Sequence, residues 1–400
     1  MLLSGAAAPT AVLSAGLPTA LASTGVPFIE KPYLQLGDAP HLADPETIEI
    51  VWQADDQEKD WRVKYRQTSS APWKSAEAPQ ARRIAVVSIA PYRLYRSKIS
   101  GLQPGAVFDY RVLLAGKEVF HATGRARKSF AQPYRFALFG DCCEDSPGQR
   151  GVAYQVSLLH PDFVFIPGDI VYKRGRVSEY LVKFFPIYNS DAASPTAGAP
   201  LMRSVLFLSV AGNRDSQHRD PSESPDGMAY FLNWLQQLNG PDAAIFHDLE
   251  GALANRKTFL ASAGKLFPQM ANFSFDYGNS HWTVLDSNPY VNWNDPALRQ
   301  SVANGLSSAA HAQCRFIAFH HPGFHSSNKY AEQQRMRVLS PVFEAGKVDV
   351  VFSGHVHNYE RSYPMRFVPQ PVDLTQTKVA PASGASIGTS MALRRRKPTA

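Results

Sequence analysis

The chain has 400 residues, 44% of them hydrophobic, and a formal net charge of +7. That length and apolar content allow a sizeable core and more than one domain. The body holds no apolar run of roughly eighteen residues, so no membrane span is expected there. The dense basic run, Arg394-Arg395-Arg396-Lys397, sits at the far end, which leaves a nucleic-acid role without support.

The first segment, residues 1–25, is uncharged through Ser23 and rich in Ala, Leu, Gly and Thr. It contains Ala20-Leu21-Ala22, a small-x-small pattern of the kind cut by signal peptidase, but no positive n-region precedes it. A signal-like leader with a secreted or periplasmic destination is the expectation, and a disordered Ala-rich leader is the alternative. The three cysteines give no disulfide framework. Cys142 and Cys143 are neighbours, whose bridging strains the peptide between them, so both are expected reduced and half-buried. Cys314 precedes a strand and reads as core filler.

Residues 28–128 read as all-β. Thr47 to Gln53 and Trp61 to Arg66 alternate as half-buried strands do. The stretch from Tyr95 passes through Pro104-Gly105 into Val107 to Val112. Short strands punctuated by turns over about a hundred residues predict a β-sandwich. Gly124 to Ser129 reads as a polar linker.

The grammar then changes, and residues 133–368 form a second predicted domain. Tyr134 to Phe139 is a strand ended by Gly140-Asp141, and Asp162 to Ile166 is a buried strand ended by Gly168-Asp169. Helical spacing runs over Gln149 to Leu159 and Glu179 to Tyr188. Val205 to Val210 ends in Gly212-Asn213, Trp282 to Asp286 is a further strand, and Phe316 to Phe319 ends in His320-His321-Pro322. Val350-Val351-Phe352 reads as a buried strand broken by Ser353-Gly354. His355 and His357 follow at alternate positions, so both imidazoles face one way on an extended backbone. From about Pro369 the text loses apolar periodicity, and residues 369–400 read as a disordered tail.

Polar residues thus recur just past strand ends: Asp141, Asp169, Asn213, His320, His355 and His357. Each alone has an ordinary explanation as a turn, cap or surface residue. Together, carboxylate, carboxamide and imidazole suit a pair of divalent or trivalent ions, the arrangement used for in-line attack on phosphorus. The one Gly-x-Ser-x-Gly match, Gly384 to Gly388, falls in the aperiodic final stretch and follows no predicted strand, and no Gly-x-x-x-x-Gly-Lys loop is present.

Gly140-Asp141, Gly168-Asp169-Ile170-Val171-Tyr172, Gly212-Asn213-Arg214-Asp215, His320-His321-Pro322 and Gly354-His355-Val356-His357 stand in the order of the calcineurin-like metallophosphoesterases. The sequence most resembles their purple acid phosphatase branch, over roughly residues 30–365. Cys143 occupies the place of a metal-binding His of the wider family, and Tyr172 stands where the purple branch supplies a Tyr instead. The resemblance implies an α/β catalytic domain, a metallophosphoesterase β-sandwich flanked by helices. An all-β, fibronectin type III-like domain would precede it.

It implies a ferric site of Asp141, Tyr172 and His357, a bridging Asp169, and a divalent site (iron, zinc or manganese) of Asn213, His320 and His355. Coordinated hydroxide would attack a phosphate ester substrate, most simply a monoester. Arg214 replaces the His that follows the Asn in the family. Arginine cannot act as a general acid but can brace phosphate. His321 and His325 are the candidate substitute acids. Family members also continue past the final His motif with further strands, so the catalytic domain is expected to be C-terminally incomplete. An inactive relative and a phosphodiesterase are the competing expectations.

Overall fold

The structure is a computed structural model that describes residues 27–144, 146–241, 249–331, 333–367 and 394–395. The predicted leader, 1–25, lies outside the described residues. So does the predicted tail, 369–400, except for Arg394–Arg395.

Alternating sequence builds the first half. Strands β1 (Glu30–Gln35), β2 (Glu46–Asp55), β3 (Trp61–Arg66), β4 (Lys74–Ser75), β5 (Gln80–Ile84), β6 (Tyr92–Leu102), β7 (Val107–Leu114) and β8 (Lys117–Arg125) make two four-stranded antiparallel sheets. Their orders are β1-β2-β6-β5 and β4-β3-β7-β8. Inward residues of the two sheets share a core of Ile50, Trp52, Trp61, Val63, Tyr95 and Tyr110. Trp52 stacks on Tyr95 at 5.4 Å and meets Trp61 edge-on at 5.6 Å. This all-β half holds the strands read from the sequence, with β1, β4, β5 and β8 in addition.

The predicted linker is not a solvated connector. Arg127 is 1% exposed and donates to the carboxylate of Glu46, equally buried, over 3.0 and 3.1 Å. It donates further to the carbonyls of Ala39, His41 and Asp276. A buried guanidinium needs such partners for every N–H. The segment therefore knits the two halves together.

In the second half β9 (Phe136–Leu138), β10 (Phe163–Ile166), β11 (Asn189–Ser194), β12 (Gly198–Pro200) and β13 (Leu206–Ser209) come first. β13-β10-β9 is a parallel sheet, and β11-β12 is a separate antiparallel pair. A second sheet holds β14 (Phe273–Tyr277), β15 (Ser280–Val284), β16 (Cys314–Ala318) and β17 (Val350–Phe352), with β15, β16 and β17 mutually parallel. Trp282 lies between the two sheets, stacked on Phe165, Phe275 and Phe352 at 5.4–5.7 Å. The ring area it buries there is what holds the layers together.

Helices cover the outer faces. Pro147–Leu158 starts at a proline, as the missing N–H permits, and buries Gln149, Ala153 and Val156 on one stripe. Pro296–Ser308 is capped by Asp295, which accepts from Ala297 at 2.7 Å, and buries Leu298, Val302 and Leu306. The predicted helix over Glu179 to Tyr188 is continuous from Val177 to Tyr188 but passes through a π-helical turn at Tyr180–Phe184.

The Val350–Phe352 strand was expected to be buried, yet Val350 and Val351 are 41% and 43% exposed. β17 is an edge strand, paired by β16 alone among the described residues. After it β18 (Met365–Arg366) pairs antiparallel with β19 (Arg394–Arg395).

Candidate metal centre

The carboxyl ends of β9, β10, β13, β16 and β17 deliver Asp141, Asp169, Asn213, His320 and His355/His357 to one place, the position where ligands of such sheets bind. Three of these residues turn sharply off their strands. Asp141, Asp169 and His355 have φ of 54°, 48° and 69°, in the left-handed region. Gly168, at φ 87°, makes room beside them, because a Cβ there would sit 2.5 Å from His320 Nδ1.

Donor atoms gather in two sets. In the first, Tyr172 Oη lies 3.2 Å from Asp141 Oδ1 and 3.1 Å from His357 Nε2, and His357 Nε2 lies 3.2 Å from Asp141 Oδ1. In the second, Asn213 Oδ1 is 3.0 Å from both His320 Nε2 and His355 Nδ1, and His320 Nε2 is 3.3 Å from Asp169 Oδ1. Atoms that share one ion at about 2.0–2.2 Å are spaced by about 3.0–3.5 Å, so both sets have the spacing of ligand shells. Asp141, Asp169 and His320 form one metal-capable group by spacing, and His320, His321 and His355 another.

The electrostatics also call for cations. Burial lowers the His320 imidazole, but the charges of Asp169 and Asp141 outweigh it and push it up to about 9. Burial, reinforced by the same two carboxylates, pushes the Tyr172 phenol far above its ordinary range. A phenol in that setting gives up its proton only to a strongly polarising ion. His355 is pushed down to about 3, by burial first and then by His320, which leaves a neutral imidazole ready to ligate. The residues present fit a pair of metal ions.

The remaining predicted residues are placed differently from one another. Arg214 donates its backbone N–H to Asp169 Oδ1 at 2.7 Å, and its guanidinium lies 5.7 Å over the Tyr172 ring, at the first donor set. His321 is buried between His320 and His355, with ring centroids 4.9 and 4.4 Å away, and Ser287 Oγ meets its Nδ1 at 2.9 Å. Burial, then the neighbouring His320 and Arg335 charges, holds that imidazole well below its ordinary value, so it is unprotonated at neutral pH. His325 shares no hydrogen bond, ion pair or ring contact with the donor sets among the described residues.

Several contributors were not singled out from the sequence. The Asp215 carboxylate accepts from the backbone N–H groups of Ile170 and Gly212 at 2.8–3.2 Å and so fixes two ligand loops to each other. Tyr330 lays its ring 4.1 Å from that of His355. Asn288, held by Asp286, donates toward the Gly212 carbonyl at 3.3 Å. Asp215 stands two positions after Asn213 in its motif, which was a usable signal; Tyr330 sits in a loop with none. Cys143 is fully buried beside Gln149, with its Sγ 3.5 Å from that of Cys142, and the cysteines are free.

The calcineurin-like phosphoesterase family model matches residues 134–359, more than half of the chain. The chain belongs to that family as a purple acid phosphatase-like member. It is 24% identical over 308 residues to "Probable inactive purple acid phosphatase 27" of Arabidopsis thaliana, covering 69% of this chain and 45% of that protein. It is 23% identical over 286 residues to "Purple acid phosphatase 21" of the same plant, covering 68% and 54%. The chain thus spans about half the length of these relatives. Among solved structures, a purple acid phosphatase from yellow lupin (Lupinus luteus) seeds superposes with a TM-score of 0.56 at 16% identity, covering 85% of this chain and 59% of that one. That likeness establishes the mixed α/β fold.

Proposed function

We propose that this protein is a metal-dependent phosphoesterase, an acid phosphatase acting on phosphate monoesters at a dinuclear centre. The observation that carries the reading is the pair of donor sets at the strand ends, each with ligand-shell spacing. Asp141, Tyr172 and His357 would hold ferric iron. Asn213, His320 and His355 would hold divalent iron, zinc or manganese, and Asp169 would bridge. Bound there, the metals would supply Lewis-acid polarisation of the phosphoryl oxygens and a nucleophile at moderate pH.

The chain's own residues do the rest. Arg214, permanently charged, braces a phosphoryl oxygen through its planar fork and donates no proton to the leaving group. His321, held neutral, serves the site by packing against His320 and His355 with Ser287 fixing its ring. That leaves departure of the ester oxygen without a strong protein acid and favours substrates with good leaving groups, such as aryl phosphates. The all-β segment, 28–128, is taken as a fibronectin type III-like companion to a catalytic domain of 133–368, and export as the destination.

The test is hydrolysis of an aryl phosphate monoester and the matching diester after reconstitution with iron plus zinc or manganese, beside Asp169→Asn. Metal-dependent monoester turnover, reduced at least about 100-fold in the variant, is the expected result. Preference for the diester would replace the monoester reading with a phosphodiesterase. Arg214 favours a second reading, an inactive relative, which a folded, metal-loaded protein without turnover on either ester would establish.

A further inference from the structure

The side chains around the centre carry more positive charge than one phosphoryl group needs. Arg214 stands at the first donor set, over the Tyr172 ring. Two further cations, Lys329 and Arg335, come from the loop that follows His321, on the His355 side. That loop returns in the turn Arg335–Leu339, whose backbone closes onto Gly323. A Cβ at Gly323 would lie 3.4 Å from the Arg337 nitrogen, and Arg337 Nε donates to the Gly323 carbonyl. Tyr330, held at φ 65°, lays its ring 4.1 Å from that of His355. Lys329 Nζ lies 4.7 Å over the Tyr330 ring.

Neither cation is spent on the fold. Arg335 Nε is buried without an acceptor, and neither Arg335 nor Lys329 forms an ion pair among the described residues. The carboxylate whose charge reaches Arg335 is that of Asp286, but its oxygens are taken by Asn288 and Tyr290 at 2.6–2.9 Å. Arg335 also faces His321 and His355, both held unprotonated and unable to balance it. A half-buried guanidinium with an unsatisfied N–H costs stability, and an anionic ligand is what offsets that cost. Arg214 already serves the phosphoryl group under attack, so this second guanidinium calls for a second anion.

We propose, resting on the phosphoesterase reading, that Arg335 and Lys329 form a subsite for a second phosphate, and that the substrate is a diphosphate cleaved at its terminal anhydride. Arg214 braces the terminal phosphoryl group, and Arg335 with Lys329 meets the phosphate that leaves. Water adds its oxygen to the terminal phosphorus. The bond from that phosphorus to the bridging oxygen breaks, and its electron pair stays on the bridging oxygen. The products are inorganic phosphate and the shortened phosphate, with one proton released to solvent. A departing phosphate is a weak base and leaves without a proton from the protein. That suits a site in which Arg214 donates none and His321 is unprotonated, and it puts the cations where the departing charge grows.

The experiment uses the full chain loaded with iron and zinc, beside Arg335→Met, Arg335→Lys and Lys329→Met. Calorimetry reads the binding of methylenediphosphonate, an uncleavable diphosphate, and of methylphosphonate, which lacks the second group. Turnover is read on adenosine diphosphate and on an aryl phosphate monoester. Arg335→Met should weaken methylenediphosphonate about 10-fold or more and methylphosphonate by no more than about twofold. Its kcat/KM on adenosine diphosphate should fall by the same factor with the aryl phosphate little changed, and Arg335→Lys should recover part of the loss. Lys329→Met, at an exposed position, should shift the same readings about twofold to fivefold. Equal weakening of both phosphonates, or of neither, would overturn the subsite, and aryl phosphate turnover with none of adenosine diphosphate would overturn the substrate class. Should Arg335→Met fail to fold, Lys329→Met decides by the same comparison. If the wild type turns over neither substrate yet keeps the Arg335-dependent preference in binding, the phosphoesterase reading fails and the subsite stands.

Discussion

A Cβ added at Gly212 would lie 2.2 Å from the backbone nitrogen of Asp169 and 2.3 Å from its Oδ1. Two strand-end loops from different parts of the chain therefore pass each other at a distance only glycine allows. Gly212→Ala must push the β10 loop away, at a cost of about 1–3 kcal/mol. Asp169 moves with that loop, and metal retention should fall about 10–100-fold. Thermal unfolding and metal content after gel filtration check both halves. A protein that loses stability yet keeps its metal would separate the packing from the site.

Arg214→His should raise turnover on alkyl phosphates by about 10-fold or more, since it restores a group able to protonate a poor leaving group. Aryl phosphates, whose leaving groups need no proton, should gain little. Steady-state rates on one substrate of each kind give the comparison. An equal gain on both, or none, would remove the leaving-group argument from Arg214.

Glu30, on β1, gives the pH dependence of stability. Burial pushes its carboxyl from 4.5 up to about 8 in the folded chain, against the hydrogen bond from Asn189. Between those values the native state keeps a proton that the unfolded state has lost, so its contribution to stability falls as pH rises from about 4.5 to about 8. Glu30→Gln should match wild type near pH 4 and exceed it at pH 8 by on the order of 2–5 kcal/mol. Urea unfolding at the two pH values measures this.

The Arg127–Glu46 pair should behave as buried pairs do when one partner is removed. Arg127→Met leaves Glu46 charged and buried, and should cost about 3–5 kcal/mol. The double change Arg127→Met/Glu46→Leu should recover a good part of that. Denaturant unfolding of the two proteins distinguishes a buried ion pair from a solvated linker.

Much of the centre was legible in the sequence because its grammar is local. A strand, a Gly and a candidate donor recur at Gly140-Asp141, Gly168-Asp169 and Gly212-Asn213, and each unit carries its own backbone instruction. What escaped was whatever depended on neighbours distant in the chain. Val350 and Val351 look like a buried strand, since apolar runs report hydrophobicity and not how many sheet partners flank a strand. Arg127 looks like linker because a basic residue gives no sign of a carboxylate 81 positions away that neutralises it. Lys329 and Arg335 share no motif with His355, and only the fold brings them to its side.

The left-handed backbone at Asp141, Asp169 and His355 sets folding and function against each other. A non-glycine residue held there stores of the order of 1–3 kcal/mol. Glycine would relieve it, and so would remove a donor atom. A search for thermostable variants that ignores chemistry will therefore be drawn to these three positions, and each success there will dismantle the centre. The strain marks them as residues that the fold alone would not choose.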